Sequence, residues 1–281
     1  MHRARPVTLM LTFSLAFACG DKAADTAASG ADGGGTGDDA GTGGGTGDHG
    51  ETGGDTGGGG GTGDDGGTGS GSGAGTGGEA LPLAGLGTLS GDCDVLDTEL
   101  TDSAPSIFVN TLDFGAGPFD YDALSAGGQA VYDAGNLGGS SLYSEIFAYE
   151  VLYRCEEATL LQTEGDIIYD DAGGKKTDLR VSLDAESIGV SVTRAFAWPP
   201  EDPYTVEQAT QLLDGKLDDV LLSSANVGSE HAWGKQILSV IAYTPDHAAA
   251  IVTAWDGLDD ETRADTIVLV TITEGDDALL Y

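Results

Sequence analysis

The chain has 281 residues, among them 47 glycines, and sets 47 acidic side chains against 11 basic ones for a formal net charge of −36. A field of that sign repels polyanions, and so few Lys and Arg release few counterions from a phosphate backbone, so duplex nucleic acid is disfavoured as a partner. No apolar run is long enough to span a bilayer.

Arg3 and Arg5 form a basic start, Val7 to Phe17 an apolar run, and Ala16, Ala18 and Gly20 place small residues around Cys19, the pattern of a cleavable export signal. The junction Leu15-Ala16-Phe17-Ala18-Cys19-Gly20-Asp21 resembles a bacterial lipoprotein signal. That resemblance implies that residues 1–18 are removed, that Cys19 is diacylated and that the lipid holds the chain to a membrane. The usual pattern has Leu three residues before the cysteine; here Ala16 holds that place, with Leu15 one step earlier. Ordinary secretory cleavage at Ala16-Phe17-Ala18 also fits and leaves Cys19 as a free thiol. Either route leads out of the cytoplasm. Gly20, where the family's inner-membrane retention signal has Asp, implies the outer membrane.

From Gly20 to Glu79 the chain is Gly, Thr and Asp without Val, Ile, Leu, Phe, Tyr or Trp, so it has no apolar surface to offset the entropy of ordering. Residues 19–79 are therefore expected to be a disordered linker with a root-mean-square span of roughly 40–45 Å. Its aspartates show no fixed nonapeptide period of the kind that binds calcium in a β-roll. Residues 80–281 have the composition of a single globular domain, with all the tryptophans and, as its cations, Arg154, Lys175, Lys176, Arg180, Arg194, Lys216, Lys235 and Arg263. Cys93 and Cys155 read either as a disulfide in an oxidising compartment or as two small buried apolar residues.

Ser106 to Leu112 predicts a strand, and Asp122 to Tyr132 a helix weakened by Gly127 and Gly128. Ser141 to Glu157 has the spacing of an amphipathic helix after the loop Gly138-Gly139-Ser140. Leu160 to Tyr169, Thr177 to Leu183 and Ile188 to Arg194 predict an antiparallel three-strand meander, with turns at Asp170 to Gly174 and Asp184 to Glu186. A helix follows from Val206 to about Leu222 with Thr205 as N-cap, then a buried strand Lys235 to Thr244, a helix Pro245 to Leu258 and a strand Thr266 to Thr273. Helical crossovers between the later strands favour parallel pairing and an α/β fold.

This order of helix, three-strand meander, helix, strand, helix, strand resembles, over Ser141 to Thr244, the restriction-endonuclease-like PD-(D/E)XK superfamily. In that family the second strand supplies an Asp, the third an acid followed two residues later by Lys, and the first helix often a Glu. The acids hold Mg²⁺ and the Lys activates water. The resemblance puts Asp178 at the place of the strand Asp and Glu145 at that of the helix Glu, the two candidate metal ligands. Ser191 and Thr193 stand where the acid and Lys belong. Lys216 is the candidate substitute cation, because it lies on the apolar stripe of its helix, and Arg180 and Arg194 are further substitutes. An ordinary polar strand face, with Asp178 paired to Arg180 or Lys216, fits the same residues.

Other motifs are incomplete. Gly173-Gly174-Lys175-Lys176-Thr177 leads into a strand rather than a helix, so it is a turn and not a phosphate loop. His231 and His247 lack partners at zinc-ligand spacing, and Gly139-Ser140-Ser141 lacks the last glycine of a nucleophile elbow. Trp198, Trp233 and Trp255 read as core or loop anchors. The expected function is that of a surface-tethered lipoprotein whose nuclease-like domain is non-catalytic, with a binding or structural role and no cofactor. The alternative is a divergent Mg²⁺-dependent phosphodiesterase or nuclease that uses Glu145, Asp178 and Lys216 as its catalytic residues.

Overall fold

A computed structural model describes residues 81–82, 86–135, 141–200 and 202–281; the export signal, Cys19, the Gly-Thr-Asp tract and the loop Gly138-Gly139-Ser140 lie outside the described residues. In chain order the strands are β1 (Leu81–Pro82), β2 (Thr88–Gly91), β3 (Ser106–Asp113), β4 (Thr159–Thr163), β5 (Leu179–Leu183), β6 (Glu186–Ala195), β7 (Lys235–Ala242) and β8 (Ile267–Glu274). The helices are α1 (Ala126–Ala134), α2 (Leu142–Glu156), α3 (Val206–Asn226), α4 (Pro245–Gly257) and the short α5 (Asp260–Arg263). The strands form one mixed sheet in the order β1-β2-β3-β8-β7-β6-β5-β4. Its centre, β3-β8-β7-β6, is parallel, and the outer strands on both sides pair antiparallel.

The crossovers make the centre parallel and cover both of its faces, which is why β7 is buried at every position. Its side chains alternate between two layers. Ile237 and Ile241 join Val181, Ile188, Val190 and Leu269 against Ile146, Phe147 and Leu152 of α2. Leu238, Val240 and Ala242 face the other way, with Val268 and Val270, against Leu213 and Leu217 of α3 and Ile251 and Ala254 of α4. Thr205 caps α3 and Pro245 stands in the first turn of α4 as the sequence predicts; the structure adds Gln208, which completes a reciprocal capping box with Thr205, and Thr244, expected as the end of the strand, which caps α4.

The meander forms with a shorter first strand than Leu160 to Tyr169. A turn stops β4 at Thr163, whose carbonyl accepts from Asp166 N at 2.9 Å and whose hydroxyl meets the Asp166 carboxylate at 3.1 Å. The rest of the expected strand bonds elsewhere: Ile168 N donates to His231 Nδ1 at 3.0 Å, and Tyr169 makes a single antiparallel bridge to Val227. The expected turn at Asp170 to Gly174 is instead part of a longer connection fixed by Asn226. The Asn226 side chain accepts from Asp171 N at 2.9 Å and donates to the carbonyls of Asp171 and Lys175. Between β5 and β6 only Asp184 and Ala185 separate the paired Leu183 and Glu186, both at positive φ, 47° and 68°. A two-residue hairpin with both central residues left-handed matches the twist of the strands it joins.

Gly127 and Gly128, which weaken α1 as a sequence, are what let it lie on α2. A Cβ at Gly127 would sit 2.1 Å from the Tyr149 hydroxyl, and one at Gly128 would sit 2.1 Å from Glu150 Oε1. The buried Glu150 carboxylate accepts from Ser125 N at 2.8 Å and Ser125 Oγ at 2.6 Å, which fixes the N-cap of α1, while Arg154 lies 3.5 Å from its other oxygen. At the far end of α2, Glu156 accepts from the amides of Val95 and Leu96, and a disulfide joins Cys155 to Cys93 across a separation of 62 residues. Closing a loop of that length restricts the unfolded chain by about 4 kcal/mol in the chain-entropy model. Gly127→Ala is expected to lower the unfolding free energy by about 1–3 kcal/mol in urea titration, because the rigid, buried Tyr149 ring cannot yield to a methyl group.

Candidate functional site

The site positions meet at the end of the β5–β6 hairpin. The ladder stops at Leu179 paired with Val190, while β6 runs on to Ala195. Beyond that point the β5-facing amides of β6 need other acceptors. Asp178, the residue before β5, keeps the ladder going for one step: its N donates to Val190 O at 3.1 Å and its Oδ2 accepts from Val192 N at 2.6 Å. Thr177 joins the same strand through its hydroxyl, 2.9 Å from Ser191 Oγ, and its N donates to the Tyr169 hydroxyl at 2.8 Å.

Glu145, on the first turn of α2, is 3% exposed and accepts a hydrogen bond from Ser141 Oγ at 2.8 Å. Burial, then the charge of Asp178, and more weakly that of Glu164, push its carboxyl from 4.5 up to about 7 against the opposing bond from Ser141. Tyr169 lies in the same field: burial first, then Asp178 and Glu164, push its phenol up to about 12, against a bond with the Thr177 backbone. The structure thus brings Glu145 and Asp178 into one acidic neighbourhood and adds Glu164 and Tyr169, which the sequence reading missed. Their signal was weak, because both lie in the segment expected to be regular strand and β4 stops before either of them.

The remaining expected site residues do not join them. Val190 belongs to the α2-side core and Val192 packs against it. Alternation therefore turns Ser191 and Thr193 to the α3 side, away from Glu145. Lys216 lies on α3, across the sheet from α2, at the margin of the buried stripe Ala209, Leu213, Leu217 and Val220 and not on it. The expected place on the apolar stripe is off by one position: Leu213 and Leu217 are buried, while Lys216 beside them stays half-exposed, which suits the long stem of a lysine. Arg180 is held by Gln162 Oε1 at 2.7 Å and Ser187 Oγ at 2.8 Å, and Arg194 donates to the Leu280 carbonyl.

These residues do not fit the Mg²⁺ centre that the resemblance implies. One Asp178 oxygen is taken by an amide, burial and the charge of Asp178 push the Glu145 carboxyl up to about 7, and valines occupy the β6 positions facing α2. Among the described residues, no three His, Cys, Asp or Glu side chains are grouped as metal ligands. His231 Nδ1 accepts from Ile168 N, and His247 Nδ1 meets Thr244 Oγ1 at 2.7 Å. Trp233 lies over Gly189, where a Cβ would come within 2.6 Å of its ring, and Trp255 is buried against α4's neighbours. Trp198 is no core residue: it is 79% exposed.

No protein-family model matches the chain. It is 36% identical over 159 residues to the AAC-rich mRNA clone AAC4 protein of Dictyostelium discoideum, an alignment that covers 54% of this chain and 23% of that protein. The chain thus spans less than a quarter of that relative's length. A solved structure of Pyrococcus furiosus SfsA in complex with Ca²⁺ aligns with 48% of this chain and 57% of that one, at 9% identity and a TM-score of 0.24. A likeness that slight assigns neither fold nor function.

The raised Glu145 carboxyl fixes the sign of a pH effect. A group whose folded pKa lies above its unfolded value stabilises the fold below the unfolded value, and that stability is lost as pH rises through about 7. Thermal melts between about pH 5 and 8 should show stability falling, by roughly 1–3 kcal/mol from this group. Glu145→Gln, which keeps the neutral shape, should flatten that fall and leave the protein more stable than the parent at the alkaline end.

Proposed function

We propose that the folded domain is a non-catalytic binding or structural module, carried at a membrane surface by lipid on Cys19 and held away from it by the Gly-Thr-Asp linker. The observation that carries this reading is the pleat of β6, which presents Val190 and Val192 to α2 and turns Ser191 and Thr193 away. An acid and a base at the family's spacing would have to occupy the valine positions to meet Glu145. Asp178 has a structural task that accounts for it, since its carboxylate serves the Val192 amide beyond the end of the hairpin. The excess of carboxylates supports a role that does not hold a nucleic acid backbone. The basic start, the apolar run and the small residues around Cys19 support export and lipidation, and Gly20 after the cysteine supports the outer membrane.

Two measurements test the two halves of this proposal. The purified chain, given Mg²⁺ or Mn²⁺ with single- and double-stranded DNA and RNA, should cleave none of them, and the metal should not raise its melting temperature. Metal-dependent cleavage abolished by Asp178→Ala would overturn the non-catalytic reading in favour of the phosphodiesterase. Radiolabelled palmitate should enter the chain expressed in a bacterial host and be lost on Cys19→Ala, with the protein moving from the membrane to the soluble fraction; an unlabelled, soluble parent would overturn the anchor.

A further inference from the structure

The carboxyl ends of β6, β7 and β8 carry a run of aromatic rings outside the acidic site; Tyr281 and Tyr204 lean on the two core layers with one side, and Phe196, Tyr243 and Trp198 belong to neither layer. Phe196 directly follows β6, Tyr243 directly follows β7, and Tyr281 comes after β8 by way of the one-turn helix Ala278–Leu280. Their rings are in contact, with centroids 5.6 Å apart for Phe196 and Tyr243, 5.0 Å for Phe196 and Tyr281 and 4.7 Å for Tyr243 and Tyr281. Trp198 extends the run from Phe196 at 6.3 Å, and His247 extends it from Tyr243 at 5.7 Å to Tyr204, which stacks on the imidazole at 4.9 Å. Phe196, Tyr204, Tyr243 and Tyr281 are each part-exposed, and Trp198 is 79% exposed. The carboxyl edge of neighbouring parallel strands is where open α/β sheets present their ligand sites.

We propose that this aromatic surface, centred on Trp198, binds a cationic peptide segment, one bearing arginine or lysine, of a partner protein. The proposal deepens the non-catalytic reading above and rests on it. Two observations select a cation over other occupants. The chain's charge of −36 draws cationic partners and repels anionic ones. Elsewhere the domain covers ring faces with its own cations, Arg154 over Tyr153 at 5.0 Å, Lys176 over Tyr169 at 5.8 Å and Arg263 over Trp255 at 5.6 Å. Those three pairs lie on Tyr153, Tyr169 and Trp255, rings outside this cluster, where Arg194 donates to the Leu280 carbonyl. An indole face is the best of the aromatic partners for a cation.

The surrounding charges suit this assignment. Arg194, the cation at this edge, donates to the Leu280 carbonyl and holds the segment that carries Tyr281. Asp277 is held by the Thr273 hydroxyl at 2.7 Å, and that hydroxyl also meets the Tyr281 hydroxyl at 2.9 Å, so the rim is fixed. Asp202, on the segment that leads into α3, and Asp246, in the first turn of α4, are exposed. They add attraction at the rim while the rings supply the contact.

The test uses the full chain and a fluorescein-labelled decapeptide of alternating Arg and Gly, followed by fluorescence anisotropy at about 150 mM salt, where exposed charges farther apart than about 8 Å are largely screened. Saturable binding is expected. Trp198→Ala, which changes no charge, should weaken it about fivefold or more, and Trp198→Phe should restore most of it. Unchanged affinity in Trp198→Ala would overturn the proposal, since the peptide would then be held by the general acidity of the chain. Equal affinity for a Gly-Ser decapeptide or a neutral oligosaccharide would overturn the cationic assignment. Each of those results leaves the non-catalytic reading standing, whereas Asp178-dependent cleavage of a nucleic acid would remove that reading whatever the peptide does.

Discussion

Strand β6 has to pair antiparallel with β5 along its first half and parallel with β7 along nearly all its length, and most of what this domain does with its polar groups follows from that constraint. The hairpin partner runs out at Leu179 while the crossover partner continues to Ala242. A strand that keeps one neighbour after losing the other leaves amides facing an open edge, and open edges invite mispairing. Asp178 covers the first of them with its carboxylate, and the hydroxyls of Thr177 and Ser191 close the contact beside it. The acid is thus a piece of sheet architecture, placed where a backbone carbonyl of β5 would have stood.

The same strand decides which groups α2 meets. Since both faces of the parallel centre are covered, polarity on one face of β6 does not mark solvent; Ser191 and Thr193 are half-buried beneath the α3 layer, and valines fill the α2 layer. Helix α2 itself is almost wholly enclosed and carries three acids into the interior or its margin, each relieved differently. Glu150 is bound by the N-cap of α1 and by Arg154, Glu156 by the amides of Val95 and Leu96 beside the disulfide, and Glu145 by the Ser141 hydroxyl. Burial first, then the nearby charge of Asp178, pushes the Glu145 carboxyl up to about 7, and burial raises Glu156 as well, against the opposing bonds from the Val95 and Leu96 amides.

From α2 onward the order of elements was legible in the sequence, because long apolar periods, Thr205 and Pro245 marked the helices and a continuous apolar run marked β7. The turn at Asp184-Ala185 was legible too. The end of β4 was not: Leu160 to Tyr169 has strand composition throughout, and only the long-range bonds to His231 and Val227 divert its second half. The candidate site was half legible. Period two separates Val190 and Val192 from Ser191 and Thr193, but a single sequence does not say which of two covered faces points at which helix. Lys216 shows the same gap, since a helical period was visible but neither its phase, which buries Leu213 and Leu217 and leaves Lys216 at the margin, nor the layer that α3 joins could be read.

The placement of charge and aromatic surface follows from these limits. A domain that encloses both faces of its sheet has only its edges and strand ends on which to meet anything else. Here the β4 edge is short and carries a bulge between Leu160 and Gln162, a form that discourages further strand pairing. The ends of the parallel strands remain. At the amino end of β7 the buried Lys235 is held by the carbonyls of Asp102 at 2.6 Å and Ala104 at 3.4 Å, which closes that end with the chain's own backbone. At the carboxyl end the covering groups are rings, packed on one another and on His247, with the exposed indole of Trp198 at their margin. One end of the sheet is therefore sealed by a cation of the chain, and the other presents aromatic faces that can receive a cation from outside.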